Sequence, residues 1–313
     1  SNKMECFDGT KWWQVAVSSP DLNGGARGVL GGGVGPETNT IDYITITTAG
    51  NATDFGDLTR TGTNTSFGSN TRAIWAGGYS TGTVPQDTID YVTIAQTGNA
   101  TDFGNLSTGR FALSGLSNQI RGITAFGSNP GHNNIIDYLT IASKGNSINF
   151  GDTINAGANS RGGVASPTRG VFMGLHRSGA TNDNVIQYIT IATTGNATDF
   201  GDMNEARHNP YSISSGIRGL AGGGNNPSQS NAIDYITIAT TGNALDFGDL
   251  TSAQRSRSGC GHKIRGIFAG GGDPGVNIIN YVTMATTSDA VDFGDLTAAR
   301  ESMGGTSNYH GGL

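Results

Sequence analysis

Apolar positions along this chain recur in one short pattern, written six times. In Ile233-Asp-Tyr-Ile-Thr-Ile238, Ile233 and Tyr235 point to one side of an extended chain, while Ile236 and Ile238 point to the other. Both faces therefore carry apolar groups, as in a sheet covered by a neighbour on each side; a sandwich strand with one wet face would alternate more cleanly. A Thr-Gly-Asn turn follows, then a second short strand carrying Asp-Phe-Gly-Asp. No window holds a sustained i, i+3, i+4, i+7 apolar pattern, so helix is expected to be scarce.

The tyrosines marking the pattern are Tyr43, Tyr91, Tyr138, Tyr188, Tyr235 and Tyr281, at spacings of 48, 47, 50, 47 and 46 residues. Each copy has four pieces. The first is Arg-Gly, or Arg-Ala in the second copy, with apolar residues and a run of small ones, beginning at Arg27, Arg72, Arg121, Arg169, Arg218 and Arg265. After a variable loop come the Tyr strand and the Asp-Phe-Gly-Asp strand. The fourth piece runs from an arginine such as Arg110, Arg207, Arg255 or Arg300 through small residues to the next Arg-Gly. Four short strands per repeat predict an all-β fold, a six-bladed β-propeller of four-stranded blades over 26–313. The Gly runs are expected to be the inner strands, crowded near a central axis where side chains would collide.

Residues 1–25 stand apart. Lys3–Phe7 and Lys11–Val15 flank Asp8-Gly9-Thr10, which predicts a β-hairpin. This hairpin is expected to be the end of an upstream domain, with Trp12 and Trp13 covering a hydrophobic edge. Either residues 16–25 or a C-terminal strand could complete the first blade. Arg300–Asn308 fits the fourth piece better, and His310–Leu313 echoes the Arg-Gly-Val-Leu start. Closure by the C-terminal strand also removes free sheet edges.

Composition narrows function by exclusion. Gly accounts for 51 of 313 residues and charged residues for 13%, as expected of many short strands and tight turns. A net charge of −6 with four lysines gives no basic footprint for nucleic acid. The two cysteines, Cys6 and Cys260, make no disulfide framework. No apolar run of transmembrane length is present, so membrane insertion is not expected.

Chemistry-bearing motifs give way to structural readings. Asp-Phe-Gly occurs five times without a phosphate-cradling loop, which removes a kinase. The histidines His132, His176, His208, His262 and His310 fall at different places along the repeats and no pair has ligand spacing, so no metal or cofactor site is expected. The recurring Asp57, Asp152, Asp202, Asp249 and Asp295 are expected to hydrogen-bond turn N–H groups or to pair with the arginines. Asn51, Asn99 and Asn196 sit in sequon-like triplets at the repeat turn, where Asn is expected for its backbone conformation.

The order of di-Gly strand, Tyr strand, aromatic strand and Arg resembles the kelch repeat, with Gly77-Gly78, Tyr91 and Phe103 in those places and Phe replacing Trp in every copy. The phrase Asp-Tyr-Ile-Thr-Ile-Ala-Thr-Thr-Gly-Asn-Ala-Thr-Asp-Phe-Gly-Asp also looks like repeats in structural proteins of tailed phages and large algal viruses. Glu5–Trp13 looks like the Asp-Gly-Thr-x-Trp hairpins of phage tail and fibre proteins. The resemblance implies a non-enzymatic virion structural or host-attachment module, binding a surface glycan or a neighbouring virion protein. It would reside in the virion, and in the cytoplasm of the infected cell during assembly. An intracellular kelch-type adaptor is the alternative, and a carbohydrate-active enzyme a third reading.

What recurs in all copies is expected to be scaffold, and what varies to be where recognition is built. The loops after the Gly runs vary most: 34–39, 79–87, 128–134, 174–184, 224–231 and 273–277. They place Tyr79, His132, His176, Arg177, Asp183 and Asp273 as the candidate ligand-binding residues.

Overall fold

The computed structural model describes residues 4–7, 10, 12–15, 26–80, 84–159, 162–177 and 181–309. Among these there is no helix; antiparallel strands are arranged as a β-propeller. The first sheet shows the plan. From axis to rim its order is Gly304–Ser307, Arg27–Gly31, Thr40–Thr45 and Thr53–Asp57. The C-terminal strand therefore completes the first sheet, pairing Thr306 with Val29 and Ser307 with Gly28. Residues 16–25 and His310–Leu313 lie outside the described residues. Met4–Phe7 and Trp12–Val15 pair antiparallel with Phe7 opposite Trp12, while Asp8-Gly9 and the tryptophan side chains lie outside the description.

Two expectations are corrected. Four separate four-stranded blades form, not six; the third and fourth repeats share one eight-stranded sheet. The outer strand of the third repeat runs on over Ile148–Ala158, and the fourth repeat's Arg169–Arg177 is equally extended. Their far ends meet, with Gly157 opposite Arg177 and Ala158 opposite His176. Extra strand length, invisible in the repeat spacing, causes the fusion.

The second correction concerns the Gly runs. The innermost strands are the fourth pieces: Gly304–Ser307, Thr65–Gly68, Ser114–Ser117, Gly163–Ala165, Tyr211–Ser214 and Ser258–Gly261, each beside the next in a closed circle. The Gly runs instead end the second strand. Gly78, with φ +105, leaves no room for a side chain against the Thr63 backbone, and its N–H donates to the Arg110 carbonyl at 2.8 Å. Glycine is needed there because another backbone segment crosses over it.

The core lies between repeats. Six apolar clusters each join neighbouring copies, for example Leu30, Ile44 and Ile46 with Ile267, Ile279 and Phe293, all buried. Burying each such side chain is worth about 1.5–3 kcal/mol, which explains why both faces of the Tyr strand are apolar. Around the rim, each Tyr meets its own repeat's Phe edge-on at 5.7 to 6.1 Å between centroids. The Arg of Arg-Gly lies 4.5 to 4.9 Å over the same Tyr ring. Its Nη1 donates at 2.7 to 3.1 Å to a carbonyl of the following repeat, the last case running from Arg265 to Ile46.

A second belt joins each outer strand to the next turn. Gly98 N–H donates to the Phe55 carbonyl and Ala100 N–H to the Asp57 carbonyl, and Asp57 N–H returns a bond to Asn99 Oδ1 at 3.1 Å. The Asn contact recurs from Asn105 to Asn146, Asp152 to Asn196, Asp202 to Asn243 and Asp295 to Asn51, with Asp289 serving Asp249. Asn is thus placed for its side-chain acceptor, not for its backbone conformation. These Asp residues contribute their N–H groups to the belt; the buried ion pairs are made instead by the Asp before the Tyr in three of the repeats. Arg300–Asp42, Arg110–Asp137 and Arg207–Asp234 are buried pairs at 2.8, 2.7 and 2.9 Å.

Candidate functional site

In an antiparallel sheet the ends of the second and fourth strands lie on the same side, so the variable loops and the segments crossing to the next repeat share one face. Isolated bridges between loop and crossing segment confirm this at Gly33 with Gly62, Phe111 with Ser128 and His208 with Asn225. The face is built from short loops on a scaffold whose recurring residues are already engaged with one another.

Four of the six candidate residues come together. The hairpin of the fourth repeat, Arg169–Arg177 and Thr181–Thr190, pairs His176 with Asn182 and Leu175 with Asp183. Arg177 Nε donates to Asp183 Oδ2, an ion pair with Arg177 partly exposed and Asp183 buried. Sheet fusion brings this hairpin beside the third repeat, so that the His132 and His176 rings meet edge-on with centroids 5.7 Å apart. On its other side His176 meets His208 at 5.1 Å. His208 Nδ1 lies 2.7 Å from Asn182 Oδ1, and Asn182 Nδ2 donates to the Asn225 carbonyl at 3.2 Å. His176 and Asn182, paired across the two strands, thus bridge the third, fourth and fifth repeats.

Tyr79 and Asp273 stand apart from this group. Tyr79 packs edge-on against Phe111 at 5.6 Å, and its backbone exchanges bonds with Thr63. Asp273, largely exposed, pairs with Arg255 at 3.0 Å. His208 and Asn182 were not among the sequence candidates. Nothing in a 46- to 50-residue period signals that His132, His176 and His208 meet; the lengthened strands bring them together.

The electrostatics of the row follow from its packing. Burial, and secondarily the charge of His176, hold the His132 imidazole below its usual pKa. The Nδ1 atoms of His132 and His176 are both buried without a hydrogen-bond partner. Among the described residues no group of three His, Cys, Asp or Glu side chains is placed to hold a metal ion.

The axis offers a smaller space. A cavity of about 50 Å³ is lined by inner-strand residues including Ser66, Gly115, Leu116, Ile213 and Cys260, with no acidic or basic side chain among its described lining. Tyr211 fills the middle, its hydroxyl donating to the Gly305 carbonyl at 2.9 Å. Burial pushes the Cys260 thiol up to about 12, so it stays protonated and unreactive at neutral pH. No protein-family model matches this chain, and no curated protein sequence matches it.

Proposed function

We propose that this chain is a non-enzymatic binding module of a virion, a structural or host-attachment component that holds a glycan or a protein through the variable loop face. The observation carrying this reading is a division of labour between residues. The recurring Arg, Tyr, Phe, Asn and Asp are consumed in contacts between repeats, whereas His132, His176, Arg177 and Asp183 gather on the face where the repeats differ. Rigid scaffolds presenting variable loops are where recognition concentrates. Likeness of the Tyr-turn-Phe phrase to phage and algal-virus repeats supports the virion setting, and with it residence in the particle and, during assembly, in the infected cell's cytoplasm.

The strand order within each repeat is read as kelch-like, and the contacts from one repeat to the next recur at six junctions. Glycan-array and virion-protein pull-down binding, with 174–184 replaced by the short loop 273–277, tests the function. Loss of binding with the ring intact is expected; unchanged binding refutes the assigned face.

A further inference from the structure

The geometry points to an acid-sensitive latch on the loop face: the row His132–His176–His208 holds the Arg169–Thr190 hairpin against its neighbours as neutral rings, and protonation releases it. Three imidazoles, one from the third repeat and two from distant parts of the fourth, stand in a row at 5.7 and 5.1 Å between centroids. Edge-to-face packing of neutral rings is favourable, whereas placing positive charges at these separations is not. Two of the rings turn an Nδ1 atom inward with no partner. A proton added there would be buried without an acceptor, a cost a proton on an exposed ring does not meet.

The surrounding charges do not relieve this. On the hairpin itself, Arg177 is paired with Asp183. On the segment leading to His208, Arg207 is buried against Asp234, with Glu205 nearby. The third repeat's loop 128–134, the facing Gly157 and Ala158, and the fifth repeat's loop 224–231 contain no acidic or basic side chain apart from His132. Among the described residues no ion pair joins a carboxylate to His132 or His176; Glu205 acts on Arg207 and Asp234.

The direction of the effect follows. The His132 imidazole titrates below its unfolded value of about 6.5, so the unlatched state binds more protons. The latch is complete above about pH 6.5 and weakens as pH falls through the folded value. Because only this hairpin makes the contacts, the response is local rather than global. The latch stands whether or not the loop face binds a glycan.

Two measurements on the full chain test it. In amide hydrogen exchange, peptides covering 169–190 should exchange several-fold faster at pH 5 than at pH 7.5 after correction for intrinsic rates, the direction set by the lowered His132 imidazole. Peptides covering 232–249 should not change. His132→Phe/His176→Phe keeps edge-to-face rings without titration and should abolish the difference. In a proton NMR titration of the unmodified chain, which needs no variant to fold, the His132 imidazole should titrate below the free value. Equal hairpin exchange at both pH values, a difference that persists in the double variant, or a His132 titration at or above the free value would each overturn the latch.

Discussion

Arg257 Nη1 lies 3.2 Å from the amide oxygen of Asn280, at a junction equivalent to three where a buried guanidinium faces a carboxylate. Arg257 Nε and Nη2, and Asn280 Nδ2, have no partner, and burial alone lowers the arginine to about 10. Supplying the missing counter-ion should help. Asn280→Asp is expected to stabilise the fold by about 1–3 kcal/mol, read as a higher midpoint in urea with an unchanged slope. A lower midpoint would show that Arg257 is already adequately solvated by its surroundings.

The reverse change at an intact junction should do the opposite. Asp137 accepts from Arg110 at 2.7 Å and from Ser107 at 2.6 Å, with both charged side chains fully buried. Asp137→Asn recreates the Arg257 situation and is expected to cost about 3–5 kcal/mol. Arg110→Met with Asp137→Leu should recover most of that loss, because replacing a whole buried pair by apolar groups is near neutral. Urea titration of the three chains separates uncompensated charge from simple loss of contacts.

The belt between repeats makes a third demand. Gly104 has φ +152, and a methyl there would fall 2.6 Å from the Gly145 carbonyl carbon. Backbone strain and overpacking add, so Gly104→Ala is expected to cost about 2–4 kcal/mol. Asn99→Ala removes one exposed side-chain acceptor from Asp57 N–H and should cost only about 0.5–1.5 kcal/mol. Thermal denaturation of both variants checks the ranking.

Cys260 reports on the axis. Its thiol is buried beside the Tyr211 hydroxyl and its pKa lies near 12. In a Cys6→Ser chain at pH 8, labelling by a disulfide reagent should wait on opening of the ring and speed up sharply at denaturant concentrations near the midpoint. Fast labelling under native conditions would mean that the inner strands part readily.

Much of the architecture is legible in the pattern of residues. Ile233, Tyr235, Ile236 and Ile238 announce a strand covered on both faces, and each pair of repeats buries such residues together. The C-terminal closing strand is likewise readable, because Arg300–Asn308 copies the fourth piece of the other units. Two things are not. The sheet fusion depends on how far Ile148–Ala158 and Arg169–Arg177 stay extended, and repeat spacing carries no record of strand length. Partner choice is equally hidden: Asp57 and Asp42 are both recurring aspartates, yet only the one preceding Tyr43 is buried against an arginine. His208 is not singled out as a binding residue because the sequence shows three widely spaced histidines where the fold makes one row.

The closing strand also sets an order of events. Gly304–Ser307 completes a sheet whose other members lie between residues 27 and 57. During synthesis the first repeat must wait, with the inner edge of Arg27–Gly31 open, until Gly304–Ser307 has been made. Pairing across so many residues makes for slow folding, and an open edge exposes the waiting intermediate to association with other chains. Once closed, the ring cannot be peeled from one side of the first sheet, since its two outermost participants in sequence hold each other. Its persistence should therefore be governed by the rate of that one parting, and be longer than its equilibrium stability alone would imply.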